Sequence, residues 1–189
     1  MRTFIAIELS LNIREVLAQI ESRLKYAGAD VKWVEKDNIH LTLKFLGEID
    51  EKKVELVTSA LDDIAKETKP FEISLKDLGA FPKIDSPRVI WVGLDKGAKE
   101  STELAKKIDE VLLKLGFQEE TRPFAAHLTI GRVRSGLNKA ALAEKMKSIC
   151  GLWTVDCGQT VASIILYKST LTPKGPIYSK LHETEFVYR

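Results

Sequence analysis

Two segments of the chain are nearly the same, although their histidines, His40 and His127, stand 87 residues apart. The first segment reads NIHLTLKFLG (38–47) and the second reads FAAHLTIGRV (124–133). Each has a histidine followed two residues later by a threonine, inside an otherwise mostly apolar run. Helical periodicity precedes and follows both segments, so their settings match as well as their letters. The pattern indicates an internal duplication and predicts two similar lobes, each contributing one such strand.

Both segments have the alternation of a β-strand, in which successive side chains point to opposite faces of a sheet. His40 and Thr42 are therefore predicted to share one face of the first strand. His127 and Thr129 are predicted to share one face of the second. The apolar residues between them would pack against helices and anchor each strand. If the lobes are related by a pseudo-two-fold axis, both His/Thr pairs border a single central cleft.

The rest of the chain predicts four helices and about eight strands. Helices are expected to begin after Ser10, Asp50 and Asn138, and to end near Gly28 and Gly116. Strands are expected at 3–9, 31–34, 39–47, 71–81, 88–94, 126–133, 152–168 and 176–188, with a loop at 82–87 and a hairpin around TPKGP. Strands outnumber helices without strict alternation, which favours an α+β fold of mainly antiparallel sheet flanked by helices. No linker interrupts the pattern, so residues 1–189 are predicted to form a single bilobal domain.

Charge is unevenly spread along the chain, although the net charge is only +2. Residues 121–143 and 157–182 contain no acidic residue but several basic ones. The basic residues of these stretches are Arg122, Arg132, Arg134, Lys139, Lys168, Lys174 and Lys180. Such stretches are typical of a surface that binds phosphate or RNA, with chance clustering on a solvated face as the alternative.

The sequence shows neither of two apolar patterns, a signal peptide and a membrane span, that would direct the protein out of the cytoplasm. MRTFIAIELS has too short an apolar run for a signal peptide, and it is predicted to be a strand. No apolar stretch approaches the ~20 residues that a membrane span needs. We therefore expect a cytoplasmic protein that does not enter a membrane.

Two histidine/threonine pairs around one cleft have the chemistry that phosphodiester hydrolysis requires. An unperturbed imidazole has a pKa of about 6.5, so one ring can be neutral while another is protonated near neutral pH. The neutral ring takes a proton from the attacking water, and the protonated ring gives one to the leaving oxygen. Threonine hydroxyls can hold the phosphate oxygens as charge develops. Arg132 has the parity of the buried face, so it reaches the cleft only if the strand bulges or twists at Gly131.

The paired H-x-T-x strings, HLTL at 40–43 and HLTI at 127–130, resemble the signature of the two-histidine phosphoesterase superfamily. The resemblance is to its branch of RNA 2′,3′-cyclic phosphodiesterases, also called 2′-5′ RNA ligases. Other segments resemble that branch in the same order, namely RTFIAIEL, VKWVEKDNIHLTLKFLGEI, RVIWVGL, RPFAAHLTIGRV and LYKSTLTPKGPIY. The resemblance covers essentially the whole chain, with alanine at 126 where relatives often have proline.

The resemblance implies two lobes around a V-shaped basic cleft, and hydrolysis of a 2′,3′-cyclic phosphate at an RNA end to a 2′-phosphomonoester. It implies that His40 is the proton donor and His127 the proton acceptor. Thr42 and Thr129 would bind the phosphate, and Arg132 falls on the arginine of the family's longer second motif. It implies no metal and no cofactor. The reverse reaction would join RNA ends through a 2′-5′ bond.

The expected partners follow from that chemistry. They are RNAs with a 2′,3′-cyclic phosphate or a 2′-5′ linkage, tRNA fragments among them, and we expect the protein to be a monomer. Phe4, Phe45 and Phe124 lie near the motifs and are candidates to stack on a terminal base. Trp33, Trp91 and Trp153 are predicted to be core or cleft wall, and His182, which has no partner motif, a surface or structural residue.

Three alternatives stay open at this point. A metal hydrolase is disfavoured because the sequence has no ligand spacing such as H-E-x-x-H. A non-catalytic module that binds RNA ends would need none of the histidine chemistry. A two-histidine phosphodiesterase acting on 2′-5′ oligonucleotides, or on small cyclic phosphates such as ADP-ribose derivatives, would use the same residues.

Overall fold

The computed structural model describes residues 1–150, 157–173 and 175–187. Its strands form two antiparallel sheets. Sheet A contains Arg2–Glu8 (β1), His40–Glu48 (β3), Ser163–Thr172 (β8) and Gly175–Glu185 (β9), in the order β3-β1-β8-β9. Sheet B contains Val31–Trp33 (β2), Phe71–Lys83 (β4), Ser86–Leu94 (β5), His127–Val133 (β6) and Gly158–Val161 (β7), in the order β2-β6-β5-β4-β7. The predicted α+β class is confirmed.

Four α-helices cover the outer faces of the sheets. They are Leu11–Lys25 (α1), Glu51–Lys66 (α2), Ala98–Lys114 (α3) and Lys139–Ile149 (α4), with a short 3₁₀ turn at Lys36–Asn38. Helices α2 and α3 pack against sheet A, and helices α1 and α4 pack against sheet B. Each sheet and its two helices form one lobe, so the described part of the chain has the two similar lobes that the duplication predicts.

The helix ends follow the expected capping chemistry, with one exception. The Ser10 hydroxyl accepts a hydrogen bond from Ile13 N at 3.4 Å, and the Asp50 carboxylate accepts one from Lys53 N at 2.8 Å. Asn138 precedes α4 as predicted, but its side chain makes no cap hydrogen bond. Its amide instead donates to Gly28 O at 3.0 Å, which ties the start of α4 to the end of α1.

Two predicted boundaries in the strands are wrong. The loop expected at 82–87 is mostly strand, because β4 and β5 form a long hairpin in which Pro82 pairs with Pro87 near the turn. The strand expected over 152–168 is two strands in different sheets, since β7 pairs with β4 and β8 pairs with β1. Trp153 and the first part of that prediction lie outside the described residues.

The two lobes share one apolar core and meet along the motif strands. A continuous cluster of buried residues includes Ile5 and Leu41 of sheet A together with Ile90 and Leu128 of sheet B. Cα atoms of β3 and β6 come within 8 Å of each other, so the first and second motifs lie on the strands where the sheets approach. The fold thereby brings together two segments that are far apart in the sequence.

Candidate active site

The two motif strands have the same burial pattern over their first six residues. In each strand the histidine and threonine are half-buried, and the residues between and after them are buried. Leu41 is 0% exposed in the first strand, as are Leu128 and Ile130 in the second. The predicted alternation is confirmed, and the histidine is the first residue of both strands.

Each strand contains a β-bulge at the last residue of its H-x-T-x string. In the pairing of β1 with β3, Leu43 is the extra residue, and in the pairing of β5 with β6 it is Ile130. A bulge shifts the following side chains by one position. Arg132 therefore lies on the same face as Thr129, paired with Val89, and Phe45 takes the equivalent place after the first motif. This is the distortion that Arg132 needs to reach the cleft, located at Ile130 rather than at Gly131.

Both imidazoles are held in the same way by the backbone. Nδ1 of His40 lies 2.8 Å from Asn38 O, and Nδ1 of His127 lies 2.6 Å from Ala125 O. A carbonyl can only accept, so Nδ1 carries a proton in both rings and Nε2 is left for chemistry. The two rings are thus prepared in the same tautomer, each by the residue two places before it.

The surroundings of His40 are aromatic and largely closed. Its ring stacks on Phe4 with centroids 4.7 Å apart and meets Tyr178 edge to face at 5.3 Å. Burial, opposed by the bond to Asn38 O and aided by the nearby Arg14 guanidinium, lowers the pKa of His40 to about 4. In the free protein His40 is therefore neutral at pH 7.

The surroundings of His127 come from the β4–β5 hairpin. Phe81 meets the ring edge to face at 5.1 Å, and Trp91 lies 6.3 Å from it. Trp91 lies over Gly79, where a Cβ atom would come within 2.3 Å of the indole ring. Sequence reasoning missed Phe81. Phe81 stands two residues after Gly79 on β4, so both lie on the face of the strand that meets Trp91. Trp91 is a wall of this site, as the sequence predicts.

Arg132 connects the two sheets electrostatically. Burial raises the pKa of Tyr178 on β9, and the positive charges of Arg132 and Arg2 oppose that rise. Tyr178 also meets the His40 ring edge to face, so this side chain of sheet A lies near both the first motif histidine and Arg132 of sheet B. Among the residues that the structure describes, none forms an ion pair with Arg132, and its guanidinium is available to an anion.

The three phenylalanines named as stacking candidates have different environments. Phe4 is 3% exposed, and its ring contacts the rings of His40 and Tyr167, so it is too buried to stack on a base. Phe45 is 60% exposed on the motif face, and Phe124 packs partly buried against the core. Only the placement of Phe45 suits the predicted stacking.

Two other residues singled out in the sequence contact helices instead of bordering the motif histidines. The His182 ring bonds to the Asp62 carboxylate on α2 at 2.7 Å, behind sheet A, in keeping with a structural residue. Trp33 packs over Gly131 and lies 5.7 Å from Lys25 Nζ. It belongs to the outer face of sheet B.

Neither a metal centre nor a membrane segment can be assigned within the described ranges. No three His, Cys, Asp or Glu side chains there are grouped as metal ligands would be. No helix in that part of the chain is long and apolar enough to cross a membrane.

Comparisons with known proteins agree with this geometry. The family model for LigT-like phosphoesterases matches the chain twice, over residues 7–91 and 92–178, so each match contains one motif. A Methanocaldococcus jannaschii protein named RNA 2′,3′-cyclic phosphodiesterase is 42% identical over 184 residues, which span 97% of this chain and 99% of that protein. An Aquifex aeolicus protein of the same name is 38% identical over 187 residues, spanning 97% and 96%.

Solved structures show the same fold at lower identity. A Thermus thermophilus protein superposes with a TM-score of 0.81 at 24% identity, over 98% of each chain. E. coli LigT complexed with 3′-AMP superposes with a TM-score of 0.77 at 24% identity, over 99% of this chain and 98% of that one. Matching motifs, a duplicated family match and full-length relatives lead to one conclusion. The chain belongs to the LigT-like phosphoesterase family, the two-histidine phosphoesterases.

Proposed function

We propose that the chain hydrolyses the 2′,3′-cyclic phosphate at an RNA end to a 2′-phosphomonoester, with His40 and His127 as acid and base. The observation that carries the proposal is the matched preparation of the two imidazoles. Each ring has Nδ1 bonded to the carbonyl two residues earlier, and the two strands that carry them adjoin. Relatives at 42% and 38% identity are named RNA 2′,3′-cyclic phosphodiesterase, which supports the substrate class.

In the proposed reaction a water attacks phosphorus while Nε2 of His127 takes its proton. The bond from phosphorus to O3′ breaks on the opposite side, and Nε2 of His40 gives a proton to that oxygen. Thr42, Thr129 and Arg132 hold the non-bridging oxygens, whose charge rises in the transition state. The products are a 2′-phosphate and a free 3′-hydroxyl, and the two histidines end with their protons exchanged. Loss of a proton from His127 and gain of one by His40 restore the starting state.

The pKa of His40 places one condition on this mechanism. A ring with a pKa of about 4 is neutral at pH 7 and has no proton at Nε2 to give. A phosphate bound beside the ring favours the charged form, because an opposite charge within a few ångströms raises the pKa of a histidine. His40 therefore takes up its proton when the substrate binds.

Several finer statements belong to the same proposal. By microscopic reversibility, a 5′-hydroxyl in place of the water would give 2′-5′ ligation, for which the same residues serve. Fragments of tRNA are one class of RNA that ends in a 2′,3′-cyclic phosphate. Action as a monomer, a location in the cytoplasm and independence of metal stay predictions.

The test is an assay of product identity with matched histidine variants. An RNA oligonucleotide with a terminal 2′,3′-cyclic phosphate is incubated with the protein in the presence of a chelator, and the product is identified by ³¹P NMR. We expect a 2′-phosphomonoester, and a loss of at least ~100-fold in rate for His40→Gln and His127→Gln. His182→Gln is the control, because this third histidine is bonded to Asp62 behind sheet A.

A 3′-phosphate product would show that the wrong leaving oxygen has been assigned. No turnover of the cyclic phosphate, or equal losses in all three variants, would remove the proposed function. A rate abolished by the chelator and restored by a divalent cation would favour the metal hydrolase instead.

A further inference from the structure

The residue two places before the motif histidine differs between the two copies. It is Asn38 before His40 and Ala125 before His127. Both backbone carbonyls are bonded to Nδ1 of their histidine, but only the asparagine adds a side-chain amide. Nδ2 of Asn38 donates to Pro176 O at 3.1 Å. The carbonyl that fixes the tautomer of His40 is therefore anchored by its own side chain, and alanine cannot anchor its counterpart in the second motif.

The position of Asn38 in the chain explains why an anchor matters. Asn38 ends the 3₁₀ turn Lys36–Asn38, which belongs to neither sheet, and β3 begins only at His40. The hydrogen bonds of such a turn are poorer in geometry than those of an α-helix. A second polar contact of the turn joins Arg14 and Asp37 at 3.9 Å, and the Asp37 side chain is 82% exposed, so this contact contributes little. The bond to Pro176 O ties the turn to sheet A more firmly.

The same bond reaches a hairpin that covers the His40 ring. In sheet A, β9 is separated from β3 by β1 and β8, yet Pro176 of β9 bonds to the turn before β3. Tyr178, two residues further along β9, meets the His40 ring at 5.3 Å and the Phe4 ring of β1 at 4.9 Å. The β8–β9 hairpin thus bends across the motif face, helped by the β-bulge in its pairing. Asn38 joins the carbonyl bonded to His40 to the strand that packs against the ring.

The anchored carbonyl serves both protonation states of His40. In the neutral ring it keeps the proton on Nδ1 and leaves Nε2 for chemistry. Burial lowers the pKa of His40, and the bond to Asn38 O raises it, because a carbonyl that accepts from the ring favours the charged form. An acid that takes up its proton in a closed site benefits from both effects.

We propose that Asn38 is a positioning residue for His40: its amide, bonded to Pro176 O, holds the carbonyl that keeps Nδ1 protonated and Nε2 free. The inference rests on the proposed function, in which Nε2 of His40 gives the proton to the leaving oxygen. The second motif has no such amide, so loss of the Asn38 side chain changes the tautomer of one motif histidine only.

The first test follows the tautomer of each histidine in Asn38→Leu, which removes the amide at a similar side-chain volume. Proton–nitrogen correlation NMR at pH 8 distinguishes a ring protonated at Nδ1 from one protonated at Nε2. In the unmodified protein we expect both motif rings to be protonated at Nδ1. In the variant the Nε2 tautomer of His40 should be at least ~5-fold more populated, the shift that one neutral hydrogen bond produces. His127, bonded to Ala125 O, should keep its tautomer and is the internal control.

The second test measures turnover of an RNA with a terminal 2′,3′-cyclic phosphate by the same variant. We expect kcat to fall ~5- to 10-fold with little change in KM, because the ring is held less well while the phosphate contacts remain. Asn38→Ser, whose hydroxyl is one bond shorter than the amide, should give the same two changes in a polar side chain. Asn12→Leu is the control, because it removes an amide from an exposed position on α1, where Nδ2 lies 3.5 Å from Cys157 Sγ. It should change neither reading.

Two results would overturn the inference and leave the proposed function in place. One is an unchanged His40 tautomer in both Asn38 variants, which would make the side chain structural only, whatever the rate. The other is a normal kcat in a variant whose tautomer has shifted. No turnover by the unmodified protein would instead remove the proposed function and, with it, the role of Asn38.

Discussion

His40 and His127 are alike in their backbone bonds and unlike in their surroundings. His40 is closed in by Phe4 and Tyr178, and burial lowers its pKa to about 4. His127 is bordered by Phe81 and Trp91, which belong to its own sheet, sheet B. These different surroundings suit the different roles that the proposed mechanism gives to two chemically identical side chains, because an acid–base pair needs environments that set its members apart. The alternation of the sequence predicts which face each ring occupies, but Tyr178 and Phe81 come from segments far from the motifs in the sequence, and nothing in the motifs points to them.

One prediction at this scale concerns the charge beside His40. Arg14→Gln removes a cation that disfavours the imidazolium, so the pKa of His40 should rise from about 4. Burial is the larger cause and remains, so the pKa should stay below the ordinary histidine value of about 6.5. A titration of the His40 ring by NMR measures the shift.

The control for this titration is Arg23→Gln, an exposed arginine on the same helix. It should leave the His40 titration unchanged. A pKa of His40 that falls or stays constant in Arg14→Gln would contradict the electrostatic account of this ring.

At the scale of elements, a β-bulge in each motif strand changes which side chains face the cleft, and alternation in the sequence does not predict it. Leu43 and Ile130 are the extra residues, and they turn Phe45 and Arg132 toward the cleft. A regular strand would point both away, which is why alternation alone assigns Arg132 to the wrong face. The residue directly after each bulge differs between the two strands. In β3 it is Lys44, which is buried in an ion pair, and in β6 it is Gly131, which lies against Val31 and Trp33.

The buried ion pair of Lys44 on β3 with Asp109 on α3 should contribute measurably to the stability of the protein. Its side chain is 2% exposed, and its ammonium group pairs with Asp109 and donates to Gln118 O at 2.9 Å. Lys44→Met leaves Asp109 without its cation in a poorly solvated place, which should lower the free energy of unfolding by about 3 to 5 kcal/mol. Urea unfolding at pH 7 measures the loss.

The matched variant combines Lys44→Met with Asp109→Leu. Replacing both charges with apolar groups should recover most of the loss, because no unpaired charge remains. The ion pair would not be a structural link if the free energy of unfolding of Lys44→Met were within ~1 kcal/mol of that of the unmodified protein. The same would follow if the double variant were less stable than either single variant.

The whole molecule is organised by repeated crossing between the lobes. Strand β1 belongs to sheet A, yet the helix that follows it packs on sheet B, and the helix after β5 of sheet B packs on sheet A. The duplicated motif predicts two lobes, but it contains no signal for this exchange of helices. Lobe packing depends on which apolar faces meet, and a helix of given periodicity can cover either sheet.

We propose on this basis that residues 1–189 are one domain that unfolds as a unit. Because the chain crosses between lobes and they share one buried cluster, neither lobe can unfold without exposing the other's core. Far-UV circular dichroism reports both lobes, and the fluorescence of a Trp153→Phe variant reports Trp33 and Trp91 of sheet B. The two signals should give coincident urea transitions, and a fluorescence change at clearly lower urea would show that the lobes are independent.

The joint action of the two histidines on one phosphate is tested most directly by single-turnover rates of the single and double variants. For His40→Gln, His127→Gln and the double variant, residues that act as a unit should give strongly non-additive losses. We expect each single variant to lose at least ~100-fold, and the double variant to be no more than ~10-fold slower than the slower single one. A double variant whose loss is the product of the two single losses, or a single variant with a normal rate, would contradict the account.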